Sequence, residues 1–326
     1  MTALAPSLAA FLREHLPCER NASPHTVASY AHAFSLLLRY AANRLGRRPT
    51  ELNIEDLDPD LILGFLSHVE QDRGNTARSR NARFAAIRSF FRYLEYKVPA
   101  CLEQALRVRS LPMKKTDKAL IDYLTRDEMN ALLAAPDPTT VAGLRDRAML
   151  HLTYAAGLRV SELLALQMGD FSDRSLSTVR VLGKGRRERV LPLWKETQTV
   201  LRAWIAVRPS VQVQELFVNR EGQPLSRDGF AHRLAVHVAA AERKRPTLAE
   251  KRVTPHVLRH SCAMHTLEAT GDIRKVSLWL GHASLQSTEA YLRVDPAEKL
   301  AILASNAAPA VRKGGFRTPD LSLIHI

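Results

Sequence analysis

The chain has 326 residues, 46% of them hydrophobic, and carries 47 Lys and Arg against 33 Asp and Glu, a net charge of +14. That length supports about two domains of ~150 residues each, and the basic excess points to a polyanionic partner, since each cation set against a phosphate releases counterions. Three widely separated cysteines, Cys18, Cys101 and Cys262, form no disulfide framework and fit a reducing cytoplasm, while the lack of a basic n-region and of any long apolar run argues against a signal peptide and leaves no membrane span expected.

The N-terminal part is helical in pattern. Ser23-Pro24 is a helix start, with Ser as cap and Pro at the first helical position, and Val27, Tyr30, Phe34, Leu37 and Leu38 then recur at helical spacing. Asp58-Pro59 opens a second helix carrying Leu61, Phe65, Leu66 and Val69. A third is expected from about Thr76 to Tyr96. Its Phe84, Ile87, Phe91 and Leu94 share one face, and Arg78, Arg88 and Arg92 lie on the other. Between Thr76 and Arg92 there are five arginines and no acid. Such a run is ordinarily a solvated face; in a chain this basic, a DNA-facing helix is the better reading.

These helices define a first domain over residues 1–102. Residues 103–120 read as a linker, basic through Arg107, Arg109, Lys114, Lys115 and Lys118 and weakly periodic. Thr125 with Glu128 forms a capping-box pattern that opens a second domain over residues 121–305. In it, helices near Leu144–Gly157 and from Val160 precede two short strands, Ser177–Leu182 and Arg187–Leu193, joined at Gly183-Lys184-Gly185. Helices near Lys195–Val207, Arg227–Arg243, Pro255–Ala269, Ile273–Leu280 and Ser287–Leu292 complete the pattern. The last stretch, residues 306–326, changes character at Gly314-Gly315 and is set aside as a foreign or disordered tail.

Five groups of residues in this second domain suit phosphoryl transfer. Arg159 sits between Gly157, a helix terminator, and the apolar run from Val160, so packing pins it on both sides. It offers a fork of donors for two phosphate oxygens or, equally well, a structural pair with Glu162. Lys184 stands at a hairpin tip, either as part of a solvated basic loop or as a mobile lysine reaching a minor groove to protonate a leaving oxygen, with Arg186 and Arg187 holding the backbone. Thr254-Pro255 starts a helix whose first turn projects His256 and Arg259 from one face, where free N–H groups already favour an anion. A zinc site of His256, His260 and Cys262 is the alternative there; Arg259 beside it and the want of a carboxylate or Cys pair count against it, so no metal is expected. His260 reads as a buried hydrogen-bonding residue. His282 closes a helix at Leu280-Gly281, and a break must separate it from Tyr291, with Ser284 or Ser287 as the next cap. Cations that hold a phosphodiester, followed by a phenol that can attack it, point to DNA strand cutting and rejoining through a covalent protein–DNA link.

At these residues the sequence resembles the tyrosine recombinase family, the phage integrase and Xer-like group, over most of its length. GLRVSELLAL carries the family's first arginine onto Arg159, GKGRRERVLPL its hairpin lysine onto Lys184, and HVLRHSCAMHTLEATGDIRKVSLWLGHASLQSTEAYL its remaining signatures onto His256, Arg259, His282 and Tyr291; SPHTVASYAHAF looks like the first helix of its core-binding domain. The resemblance implies a mostly α fold with a small β-sheet: a helical N-terminal core-binding domain plus a mixed α+β catalytic domain. It implies site-specific recombination of double-stranded DNA through a 3′-phosphotyrosyl intermediate, without a cofactor, by a homo- or hetero-tetramer on two sites. A mobile-element integrase is the preferred role, with Xer-type chromosome dimer resolution, a type IB topoisomerase or a catalytically inactive DNA-binding partner as rivals.

Overall fold

The structure, a computed structural model, describes residues 2–116, 121–171, 175–183, 187–282, 286 and 288–292. The chain divides into two compact units, residues 1–118 and 119–326.

In the first unit, α1 (Leu4–Ala10) runs on into a π-helical stretch, Phe11–Glu19, and is followed by α2 (Pro24–Leu45), α3 (Pro59–Gln71), α4 (Ala77–Lys97) and α5 (Leu102–Ser110). Side-chain oxygens begin α2, α3 and α4. Ser23 accepts from the Thr26 N–H at 3.2 Å, Asp58 from Leu61 at 2.7 Å and Thr76 from Ser79 at 3.2 Å, each satisfying a first-turn donor that has no intrahelical partner. The core centres on Phe11, Phe34 and Phe90, edge-on to one another with ring centroids 5.3–6.2 Å apart. Phe84, Ile87, Phe91 and Leu94 of α4 are fully buried as their spacing requires.

Two sequence expectations change here. The segment read as a linker over residues 103–120 begins as helix α5, which belongs to this unit. Its Ala105 and Val108, three residues apart, are fully buried, and Gln104 donates to the carbonyls of Ile54 and Leu57 at 2.7 and 3.0 Å. Charged Arg107 and Arg109, the latter paired with Glu95, hide that short apolar stripe in the sequence. Further on, Asn81 exchanges hydrogen bonds with the Lys114 backbone at 2.8 and 3.1 Å, and Lys114 pairs with Glu70 at 2.7 Å. The second concerns the arginine run of α4, read as DNA-facing: two of its members are engaged within the unit. Arg80 is buried 3.7 Å from Glu70, and Arg83 donates to the Ser79 carbonyl at 3.0 Å.

The second unit contains α6 (Arg126–Leu133), α7 (Val141–Ala155), α8 (Val160–Leu164), β1 (Thr178–Leu182), β2 (Glu188–Pro192), α9 (Lys195–Val207), α10 (Arg227–Glu242), α11 (Pro255–Thr270), α12 (Ile273–Leu280) and α13 (Glu289–Leu292). Thr125 and Glu128 form the expected capping box at α6, with the Thr125 N–H donating to Glu128 at 2.8 Å. The two strands form one antiparallel hairpin, Thr178 opposite Pro192 and Leu182 opposite Glu188. Helix α11 is the spine. Val257, Leu258, Arg259, Ser261, Cys262, Ala263, Met264, His265 and Leu267 are all buried, so it is enclosed nearly all round. A buried carboxylate, Asp146, ties α7 to α10 through Arg233 at 2.5 Å and His237 at 2.8 Å. Among the described residues no helix is long and apolar enough to cross a membrane.

Candidate active site

Three chain turns converge on one end of α11. The first follows α7, where Gly157 adopts φ +56°. A Cβ on Gly157 would lie 2.5 Å from Leu280 Cδ2 and 3.2 Å from Cys262 Sγ, so only glycine lets α7 turn this close to α11 and α12. The turn delivers Arg159 as N-cap of α8. The second is the end of α12, where Gly281, at φ +64°, caps the helix and delivers His282. The third is the foot of the β-hairpin, where Arg187 accepts a backbone hydrogen bond from Gly183 at 2.8 Å.

Glu162 holds the cations of this site together. It is buried, and Arg159 Nη1 donates to its Oε1 at 2.6 Å while the Arg159 backbone N–H donates to its Oε2 at 3.0 Å. Arg189 Nη2 reaches Oε2 at 2.8 Å, and Arg259 Nη1 lies 3.8 Å from Oε2. The two alternatives for Arg159 therefore coexist: it is paired with Glu162 and still about 30% exposed. Burial pushes the Glu162 carboxyl upward, but the hydrogen bonds from Arg189 and Arg159 outweigh it and leave the group below the usual carboxylate range. One carboxylate against three guanidiniums leaves two positive charges uncompensated, an electrostatic setting for an anion.

Arg259 is 4% exposed. It donates through Nη1 to the Gly157 carbonyl and through Nη2 to the Leu280 carbonyl at 2.9 Å, stitching the first two turns together. Burial and the neighbouring Arg159 bring its pKa down to about 10, still charged at neutral pH. His282 hydrogen-bonds through Nδ1 to Thr288 Oγ1 at 2.7 Å. Burial, then Arg259, Arg159 and Arg189, pull its pKa to about 4, so it is neutral and can donate from its other nitrogen without adding charge.

Tyr291, on the one-turn helix α13, lies in this cluster. Its ring is stacked on His282 with centroids 6.5 Å apart, and its hydroxyl is 2.9 Å from Nδ1 of His260. It is only 2% exposed, packed with Cys262, Ala263, Met264, Leu267, Val276 and Leu280, and burial raises its pKa to about 12 against the opposing pull of Arg259. His256 is exposed in the first turn of α11, with its ring 6.4 Å from that of His260.

Arg159, Arg259, His282 and Tyr291 are thus gathered in one place, and His256 stands at its edge. Lys184 and Arg186 lie outside the described residues, as do the caps Ser284 and Ser287 and the tail 306–326. Arg187 is exposed at the hairpin foot. In the first unit Arg78 and Arg92 are exposed, and Arg88 lies over the Phe84 ring at 5.8 Å. Arg88 and Arg92 line a groove of about 430 Å³ with Arg20, His15, Tyr30 and Tyr96. Of the residues of the zinc alternative, His260 is hydrogen-bonded through Nδ1 to Tyr291 and Cys262 sits in the apolar cluster. Among the described residues no group of three His, Cys, Asp or Glu has metal-site geometry.

One member of the site and one contact within it were not expected. Arg189 faces inward on β2 on the same side as buried Leu191, and that two-residue alternation was a usable signal. The contact of His260 with Tyr291 had none, because 31 residues separate them.

Comparison with known proteins identifies the family. Residues 122–298 match the phage integrase family, and residues 8–97 match the SAM-like N-terminal domain of phage integrases. Fold and site together define a DNA-recombining enzyme. The protein named integrase/recombinase y4rC of Sinorhizobium fredii is 41% identical over 97% of this chain and 96% of its own length. Tyrosine recombinase XerC of Pelotomaculum thermopropionicum is 37% identical over 86% of this chain and 91% of its own. The chain belongs to the phage integrase family of tyrosine recombinases, and its activity is site-specific DNA strand breakage and rejoining. The fold is shared with XerH recombinase bound to difH substrate in a post-cleavage complex, with a TM-score of 0.68 at 21% identity over 88% of this chain and 81% of that one. It is also shared with a lambda integrase dimer bound to a COC′ core site, with a TM-score of 0.65 at 17% identity over 89% of this chain and 77% of that one.

Proposed function

We propose that Tyr291 is the nucleophile of a cytoplasmic recombinase acting on duplex DNA, and that the cations around Glu162 hold the scissile phosphate. Tyr291 Oη attacks phosphorus, the P–O5′ bond breaks, and a 3′-phosphotyrosyl link and a 5′-hydroxyl result. Arg159, Arg259 and neutral His282 take up the charge that grows on the non-bridging oxygens. Lys184 gives a proton to the leaving 5′ oxygen, and His256 at the rim contacts the phosphate or relays a proton. One phosphodiester is exchanged for another, so the step conserves bond energy and calls for no nucleotide. Attack by the 5′-hydroxyl of a partner strand reverses the chemistry and yields recombinant DNA. Four protomers, alike or of two kinds, acting on two sites complete such an exchange. Residues 121–305 form the catalytic domain, and Arg78, Arg88, Arg92, Arg186 and Arg187 meet the DNA backbone. A mobile-element origin is the preferred role.

The observation that carries this reading is three guanidiniums gathered on a single buried carboxylate, two of which, Arg259 and Arg159, act electrostatically on the Tyr291 phenol. The test is a random-sequence duplex library with sulfur in place of bridging 5′ oxygens, which traps the covalent adduct. The wild-type chain is expected to yield a protein–DNA adduct whose sequence identifies the site. Tyr291→Phe is expected to bind that duplex equally well and yield none; an adduct from Tyr291→Phe removes Tyr291 as nucleophile. Cleavage in EDTA is expected to match cleavage without it.

A further inference from the structure

Every phenol that attacks phosphorus must lose a proton, and the described chain offers the Tyr291 hydroxyl one partner. We propose that His260 is a catalytic residue whose Nδ1 holds the Tyr291 hydroxyl and takes its proton as Oη bonds to phosphorus. The proposal rests on Tyr291 being the nucleophile; of the two roles open to His256, it leaves that residue the phosphate contact and gives the tyrosine's proton to His260.

Geometry carries it. His260 Nδ1 is 2.9 Å from Tyr291 Oη, and the two rings meet edge-on with centroids 5.7 Å apart. Among the described residues this is the only hydrogen bond of that hydroxyl. His256, the other imidazole on this end of α11, is exposed and makes no such contact. The direction of the bond follows from chemistry: a phenol is far more acidic than a neutral imidazole N–H, so the hydroxyl donates and Nδ1 accepts, leaving the proton of the neutral ring on Nε2. The fold also fixes the pair. His260 follows Arg259 on the buried spine α11, so the group that receives the proton and a guanidinium that binds the phosphate are set by one backbone.

The charges facing His260 favour the neutral, accepting form in the empty site. Burial, then His256 and Arg259, bring its pKa down to about 4, with Asp122 pulling the other way. Tyr291 is held up at about 12. A bound phosphodiester narrows that gap from both sides: its negative charge offsets Arg259 and His256, and the bond forming to phosphorus acidifies the phenol. Charge balance is kept. The proton goes from Oη to Nδ1, the electron pair of Oη goes to phosphorus, and the P–O5′ pair leaves with O5′, which takes a proton from Lys184. The imidazolium then returns its proton to Oη when a 5′-hydroxyl displaces the tyrosine.

The test uses the full chain and the duplex recovered by covalent trapping, rebuilt with either oxygen or sulfur at the bridging 5′ position. If the wild-type chain traps no duplex, the nucleophile reading itself falls. With the wild type trapped, His260→Ala is expected to cleave the oxygen substrate roughly 100-fold more slowly, in keeping with a lost proton acceptor. His260→Asn, which keeps a hydrogen-bonding group near the place of Nδ1 without basicity, is expected to remain slow. The sulfur substrate, whose leaving group needs no proton, is expected to rescue neither variant. Wild-type-like cleavage by His260→Asn overturns the proposal in favour of mere positioning, rescue by sulfur overturns it in favour of an acid, and acceleration by His260→Ala overturns it in favour of a resting clamp. Nitrogen-15 NMR of the DNA-free wild type, which needs no variant to fold, is expected to find His260 Nδ1 unprotonated and Nε2 protonated; the opposite tautomer overturns the proposal.

Discussion

At the scale of single residues, this site holds His260, His282 and Tyr291 neutral and spends its charge on arginine. Four histidines of the second unit, His151, His260, His265 and His282, have pKa values brought to about 4, in each case chiefly by burial. Arginine alone keeps its charge under such burial, which is why guanidinium and not ammonium or imidazolium surrounds Glu162. The histidines make stability depend on pH in one direction. Unfolded, each takes a proton near 6.5; folded, each refuses it until about 4. Below pH 6.5 the unfolded state therefore binds more protons, so stability is whole above that value and falls as the pH drops toward 4. Discounted for the solvent that reaches the half-buried rings, the loss by pH 5 is on the order of 2–4 kcal/mol. Urea midpoints of the second unit at pH 7.5, 6.5 and 5.5 measure it. The first two are expected to differ little and the third to be clearly lower; a level series contradicts the assignment.

At the scale of elements, what was legible in the chain is what local chemistry decides. Ser23-Pro24, Asp58-Pro59 and Thr254-Pro255 announced their helices because cap and proline act within one turn. Gly183 to Arg187 announced a hairpin for the same reason. The helical stretch from Leu4 to Glu19 was not read as structure. Arg13 and Glu14 interrupt its apolar pattern, and its order comes from outside, through Leu4, Leu8 and Phe11 entering a core built by later helices. Helix α5 was missed because it adds only a narrow apolar stripe to that same core. Within the site, the types of Arg159, Arg259, His282 and Tyr291 stood out, while Arg189 and the His260 contact needed the fold to bring distant segments together. Gly157 lies where both kinds of information meet. It terminates α7 locally, and its missing side chain is also what admits Leu280 and Cys262. Gly157→Ala forces a left-handed residue with a Cβ 2.5 Å from Leu280 Cδ2, at a combined cost of roughly 2–4 kcal/mol. The Gly157 carbonyl and Arg159 move with that turn, so cleavage is expected to fall along with the melting temperature. Unchanged melting would mean that the turn relaxes freely and does not fix the arginine.

At the scale of the whole molecule, the excess of 47 basic over 33 acidic residues has to be divided between charges already used inside the protein and charges left for a partner. Arg145, Arg80 and Arg189 are spent on Asp146, Glu70 and Glu162. Arg88 and Arg92 are different: they line the groove with Arg20, and no ion pair is formed by either among the described residues. If that groove follows a DNA backbone, each arginine removes counterions when DNA binds, and log K against log salt loses about 0.9 of slope per phosphate contact removed. In a Tyr291→Phe background, which separates binding from cleavage, Arg88→Ala with Arg92→Ala is therefore expected to flatten the slope by about 2 on a random-sequence duplex between 50 and 200 mM KCl. Arg220→Ala serves as the control, because Arg220 is paired with Glu221 at 2.7 Å on an exposed turn and its removal is expected to leave the slope unchanged. Fluorescence anisotropy over the salt series distinguishes the outcomes. A double variant with wild-type slope means that the phosphates lie elsewhere, and equal flattening by Arg220→Ala means that the slope reports net charge and not a contact.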